Sequence, residues 1–87
     1  MAVLIFDTET TSLFSGKICQ LSYLIIDNWI SIAKNFYFKV NYVEPDAQLI
    51  HGLSVDMLNN LSNNKRFFEY SDEVKSDFES VNTIIAL

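Results

Sequence analysis

The chain is short of nearly everything that would staple or punctuate it. Of its 87 residues one is cysteine, one is proline and two are glycine. A single thiol, Cys19, excludes a disulfide framework and a cysteine-based zinc site, and it fits a reducing, cytoplasmic compartment. So little proline and glycine, beside 49% hydrophobic and 14% aromatic residues, excludes a collagen-like repeat and a disordered tail. Basic residues are scarce too: six Lys and Arg stand against eleven Asp and Glu, for a net charge of −5. So few cations can hardly build a basic face, and contact with a phosphate backbone would have to recruit metal cations. Long hydrophobic runs are missing as well. The apolar start at 2–6 has no basic segment before it and runs into Asp7 and Glu9. Neither a signal peptide nor a membrane span tolerates that, so no membrane partner is expected.

What is present reads as one domain or part of one, because a core of this size sits at the lower limit of independent stability. Ordering such a chain costs on the order of 130 kcal/mol of conformational entropy, against burial of about two-thirds of its unfolded surface. Ala2-Val3-Leu4-Ile5-Phe6 is an unbroken run of β-formers and predicts a strand at 2–6 buried on both faces. A Thr/Ser/Gly loop follows over 10–16, and a second strand is expected over 17–27. After the turn residues Asp27-Asn28-Trp29, alternation of Phe36 and Phe38 with Tyr37 and Lys39 predicts a third strand over 33–40. These three should form an antiparallel meander.

The stretch 41–52, with Pro45 and Asp46, reads as a connection. Ser54 is placed to cap a helix over 54–60, with Asp56 in its first turn and Leu53 stapled on Leu58. A second helix is expected over 71–82, with Asp72 and Glu73 at its start, Val74, Phe78 and Val81 as its apolar stripe, and Asn82 as its stop. A last, buried-looking strand over 83–87 should lie parallel to the first. The expected fold class is therefore α/β. Parallel sheets need helices on both faces, so the material for the second face is expected to lie outside this sequence.

Asp7 and Glu9 carry the chemistry. At i and i+2 of an extended chain both carboxylates point to one face, roughly 6–7 Å apart at the backbone, while Thr8 points the other way. Two hard oxygen donors so placed suit a pair of Mg²⁺ or Mn²⁺ ions of the kind that two-metal phosphoryl-transfer sites hold about 4 Å apart.

The run Ile5-Phe6-Asp7-Thr8-Glu9-Thr10-Thr11-Ser12-Leu13 resembles the first exonuclease motif of the DnaQ-like, or DEDD, 3′-5′ exonucleases. Ile50-His51-Gly52-Leu53-Ser54 resembles the His-Gly-Ile-Thr segment of that family's proofreading branch. The resemblance implies a partial ribonuclease-H-like fold, with residues 1–87 as the N-terminal portion of one exonuclease domain, ending before the second and third motifs. It implies Asp7 and Glu9 as catalytic metal ligands for two divalent cations, Mg²⁺ or Mn²⁺. Thr10, Thr11 and Leu13, with His51 nearby, would seat the single-stranded 3′ end of DNA or RNA, and the reaction would release nucleoside 5′-monophosphates. The family's remaining acidic ligands and its His or Tyr general base are not in this sequence. The isolated chain is therefore expected to be inactive, with a complementing C-terminal fragment or a polymerase as partner. Ser12 stands where the family frequently has Gly, which matters if that position needs a positive φ.

Plainer readings apply to other residues. Asp72, Asp77 and Glu79 read as the solvated side of the second helix, and His51-Gly52 as a corner with the imidazole bonded to backbone. Cys19 and Trp29 read as core or strand-end residues, and Phe67, Phe68 and Tyr70 as packing rather than a base-stacking platform. Lys65-Arg66 reads as a solvated dibasic pair. The competing functional class is a non-catalytic interaction module that uses an uncovered sheet face, or a decayed gene product.

Overall fold

The computed structural model describes residues 1–14 and 16–87. The chain is α/β: β1 (Ala2–Thr10), β2 (Ile18–Asp27), β3 (Ile30–Tyr37), α1 (Pro45–His51), α2 (Val55–Leu61), a 3₁₀ turn at Phe67–Glu69, α3 (Ser71–Glu79) and β4 (Thr83–Ala86). The four strands form one sheet in the order β3-β2-β1-β4. The meander β1-β2-β3 is antiparallel and β4 returns parallel to β1, both as the hydrophobic pattern predicts.

Several boundaries differ from the sequence reading, each for a local reason. β1 runs to Thr10 rather than to residue 6, because the polar residues 7–10 keep their pairing with β2 up to Thr10↔Ile18. β3 runs over Ile30–Tyr37 rather than over 33–40, its pairing with β2 ending at Gln20↔Tyr37. Asn28 takes the left-handed conformation (φ 56), so Asp27 pairs with Ile30 across a two-residue turn. Trp29 at that turn is fully exposed, while Cys19 is buried. The supposed connection 41–52 contains a helix, α1, with Pro45 in its first turn and Gly52 closing it at φ 73 through an N–H bond to the Gln48 carbonyl. α3 ends at Glu79, and Asn82 acts not as its stop but as a stitch to β1, bonding the Ala2 amide through its side chain and the Ala2 carbonyl through its own N–H.

α2 begins as its cap requires, with the Ser54 hydroxyl accepting from the Met57 N–H at 3.1 Å, and Leu53 and Leu58 share one buried cluster with Cys19 and Val40. It ends in two left-handed residues, Asn63 and Asn64, whose amides reach back to the carbonyls of Asn60 and Asn59. That is a Schellman closure with asparagine where glycine is usual.

One sheet face is covered and one is open. Pairing puts Leu4, Phe6, Leu21, Tyr23, Ile25 and Phe36 on a common face, where they pack with Phe38, Tyr70, Val74, Phe78 and Val81. Val3, Ile5, Leu24 and Ile26 lie on the opposite face, half-buried and outside both buried clusters. β1 is thus buried on one face only. β4 is an exposed edge strand rather than a buried one, with Ile84 and Ile85 48% and 43% exposed. No helix among the described residues is long and apolar enough to cross a membrane.

Candidate functional site

Asp7 and Glu9 lie within β1, a central strand with β2 on one side and β4 on the other. Asp7 pairs opposite Ser22 and Glu9 opposite Gln20, so the period of two puts both on the open face with Val3 and Ile5. Thr8, opposite Leu21, is on the covered face. The parallel pairing with β4 runs to Phe6↔Ala86, and the Leu87 N–H bonds the Phe6 carbonyl at 3.0 Å. The end of β4 therefore stops beside Asp7, in an open concavity of about 410 Å³ also lined by Ile5, Ser22, Leu24 and Asn35. Asp7 is exposed, with one carboxylate oxygen accepting from the Thr8 N–H at 2.9 Å. Glu9 is half-buried, and neither carboxylate is ion-paired among the described residues.

Two free oxygen donors on one face fit part of a divalent-cation shell. They do not complete one. Among the described residues no group of three or more His, Cys, Asp or Glu is placed to hold a metal ion.

Beyond β1 the chain turns through a tightly tied loop. The Thr10 hydroxyl donates to the Ser12 carbonyl at 2.7 Å. Thr11 is buried, its hydroxyl accepting from the Lys17 N–H and its carbonyl from the Glu44 N–H. Ser12 is buried as well and donates to the Glu44 carboxylate at 3.1 Å, which ties the loop to the start of α1. Ser12 is not among the left-handed residues, so serine carries no conformational cost there. Gly16 closes the loop so tightly that a Cβ there would collide with the Ser12 backbone. Leu13 and Phe14 are 49% and 96% exposed and form the free tip. Leu13 and Phe14 are thus exposed beyond Glu9, whereas the hydroxyls of the half-buried Thr10 and the buried Thr11 are spent on holding the loop. Glu44 and Phe14 were missed by sequence reasoning. Glu44 lies far from the loop in sequence, and an aromatic in a polar loop carries no periodic signal.

His51 ends α1 and bonds the backbone twice, as the corner reading expects. Its Nδ1 accepts from the Leu53 N–H at 3.0 Å, and its Nε2 lies 3.0 Å from the Thr10 carbonyl. An acceptor at Nδ1 and a carbonyl facing Nε2 assign the neutral tautomer with the proton on Nε2. The ring therefore pins the end of β1, and so the level at which the loop leaves the sheet.

A second polar cluster lies on the covered face. Asp77 is not on a solvated helix side as expected: its carboxylate accepts from the Tyr23 hydroxyl at 2.5 Å and from Lys34 at 2.7 Å. Lys34 also reaches Glu73 at 2.8 Å. Burial pushes the Asp77 carboxyl upward, but the bonds from Lys34 and Tyr23 outweigh it and hold it below the usual carboxylate range. Tyr23 is pushed up by burial and then by Asp77. Burial, with the negative charge of Glu9 adding to it, pushes the Cys19 thiol up to about 11, so it stays protonated and inert at neutral pH.

Comparison of the chain with protein-family models and with curated proteins gives no match.

Proposed function

We propose that this chain forms the first portion of a DnaQ-like 3′-5′ exonuclease domain of ribonuclease-H-like fold, which hydrolyses terminal phosphodiesters of single-stranded DNA or RNA. The observation that carries the reading is the pairing of Asp7 with Glu9 on the open face of a central strand, flanked by antiparallel β2 and parallel β4. Divalent metal ions, when bound, supply Lewis acidity toward the phosphodiester and the attacking water. Asp7 and Glu9 are the residues that hold them. Thr10 and Leu13 sit where the loop leaves that face and bear on the terminal nucleotide, with Thr11 and His51 fixing the loop. Two carboxylates are half a ligand set, so further acidic ligands and a general base come from a complementing segment or partner polypeptide.

The test has two arms. Calorimetric titration with Mn²⁺ should give binding that Asp7→Ala with Glu9→Ala removes. With the complementing polypeptide, a 3′-labelled single strand should release nucleoside 5′-monophosphates in a Mn²⁺-dependent way that Asp7→Ala reduces to background. Unchanged Mn²⁺ binding in the double variant would sink the proposal. The apolar open face, Val3, Ile5, Leu24 and Ile26, favours one other reading, a binding module that docks a partner there. That module would associate equally well with and without Mn²⁺.

A further inference from the structure

The few cations are not spread evenly. Lys34 is paired with Glu73 and Asp77, and Lys75 with Glu79. The other four of the six, Lys17, Lys39, Lys65 and Arg66, have no ion-pair partner among the described residues. They come from three stretches far apart in sequence, at 17, at 39 and at 65–66, that meet in the fold. The Lys39 N–H bonds the Lys65 carbonyl at 2.7 Å, which joins the segment after β3 to the turn after α2. The Thr11 N–H bonds the Lys17 carbonyl at 2.9 Å, which brings in the loop before β2.

Lys17, Lys39 and Arg66 line an open groove of about 460 Å³ with Phe67 and Phe68. The same three cations line an adjoining recess with Thr11 and Tyr42. No carboxylate lines either, in a chain where acidic residues outnumber basic ones eleven to six. Phe67 is held edge-on against Phe38 at 5.1 Å, while Phe68 is 71% exposed. Packing does not explain that exposure. Cations beside accessible aromatic faces form the combination that takes a phosphate chain and its unpaired bases together. The charge asymmetry argues for a polyanion, and the exposed rings argue for one that carries a flat ring at every charged repeat, as a nucleic acid does.

We infer that this groove holds single-stranded nucleic acid, with phosphates on Lys17, Lys39 and Arg66 and bases against Phe67 and Phe68. The inference deepens the nuclease reading and rests on it for the direction of the strand. Thr11, which lines the recess, is two residues beyond Glu9. The groove would hold nucleotides upstream of the end that Asp7 and Glu9 address. On this reading nucleic acid meets protein cations beside any bound metal, and Arg66, Phe67 and Phe68 take a role beyond solvation and packing.

The test is fluorescence anisotropy of a labelled oligothymidylate in EDTA at low salt, so that binding is read without metal or cleavage. Three phosphate contacts predict a log–log salt slope of about −2. Lys39→Glu with Arg66→Glu should weaken binding at least ~10-fold and flatten that slope, and Phe68→Ala should weaken it about 10-fold. Lys75→Glu, on the exposed side of α3, should change nothing. Thermal melting checks that each variant folds, and the exposed Phe68 makes its truncation the safest of them. The inference is overturned if the native protein does not bind or if the groove variants bind like the native protein. It is equally overturned if Lys75→Glu weakens binding as much, or if polyglutamate or a mononucleotide competes as well as the oligonucleotide. Oligonucleotide binding that survives while Mn²⁺ binding proves independent of Asp7 and Glu9 would overturn the nuclease reading and leave the groove standing.

Discussion

Truncating Phe38 to alanine is expected to cost about 3–5 kcal/mol of folding free energy. Phe38 is the largest fully buried side chain, 1% exposed, and its ring meets Phe36, Phe67 and Tyr70 at centroid distances of 6.5, 5.1 and 5.8 Å. It therefore joins the end of the sheet to the 3₁₀ turn and the start of α3, and each aromatic pair adds about 0.5–1.5 kcal/mol beyond its burial. A chain of this length has on the order of 4–13 kcal/mol of stability in total. The variant should be mostly unfolded in modest urea, with its midpoint moved and its slope unchanged. Trp29→Ala, at a fully exposed ring, should stay within about 0.5 kcal/mol of the native protein. A Phe38→Ala midpoint equal to that of Trp29→Ala would show that this ring does not hold the sheet to α3.

The strands were legible where a single local signal decided them. An apolar run, an alternating run and an apolar stripe gave β1, the meander and the sheet-facing side of α3, and the side-chain cap of Ser54 gave the start of α2. The errors arise where two signals compete. Residues 7–10 are polar, and polarity reads as loop, yet ladder bonds to β2 carry the strand on to Thr10. Pro45, Asp46 and Gly52 are the usual start and stop marks of a helix. Pro45 and Asp46 also mark turns, and the sequence reads as a connection because α1 has no apolar stripe to tip the balance: its buried residue is Ala47, and Leu49 and Ile50 are exposed. β4 is rich in isoleucine but lies at the sheet edge, and composition does not reveal which strand ends up outermost.

The site was legible in part, and for a similar reason. The placement of Asp7 and Glu9 on one face follows from the period of two, and the bonding of His51 to backbone follows from its place beside Gly52. What stayed hidden depends on tertiary contact between distant segments. Glu44 reaches Ser12 across the loop, the cations at 17, 39 and 66 gather in one groove, and Asp77 turns inward to Tyr23 and Lys34. Each is an ordinary polar residue on its own element, and its role appears only when another element supplies the partner.

Asp77 gives the second large effect, and pH reads it without ambiguity. The Asp77 carboxyl titrates lower in the folded protein than its ordinary 3.8, because the bonds from Lys34 and Tyr23 outweigh the upward push of burial. The folded state thus binds this proton less readily than the unfolded state, and the carboxylate contributes its full stability above about pH 4. That contribution is lost as pH falls through the folded value. Lys34 titrates above its ordinary 10.5 through its bonds to Asp77 and Glu73, and Tyr23 above its ordinary 10.0 through burial and Asp77. Their contributions are present below those ordinary values and are lost as pH rises beyond them. Unfolding free energy should therefore fall at both ends of a pH series. Asp77→Asn should lower stability at neutral pH by about 1.5–3 kcal/mol, since a buried tyrosine hydroxyl and a half-buried ammonium lose their anionic acceptor. It should also flatten both limbs, the acid one because the titrating carboxyl is gone and the alkaline one because the main cause of the Lys34 shift is gone with it. Urea titrations of the native protein and the variant across the pH range check both effects. If the variant keeps the native slope below pH 4 and above pH 10, α3 is held to the sheet by its apolar residues Val74 and Phe78, with Val81 just beyond its end, alone.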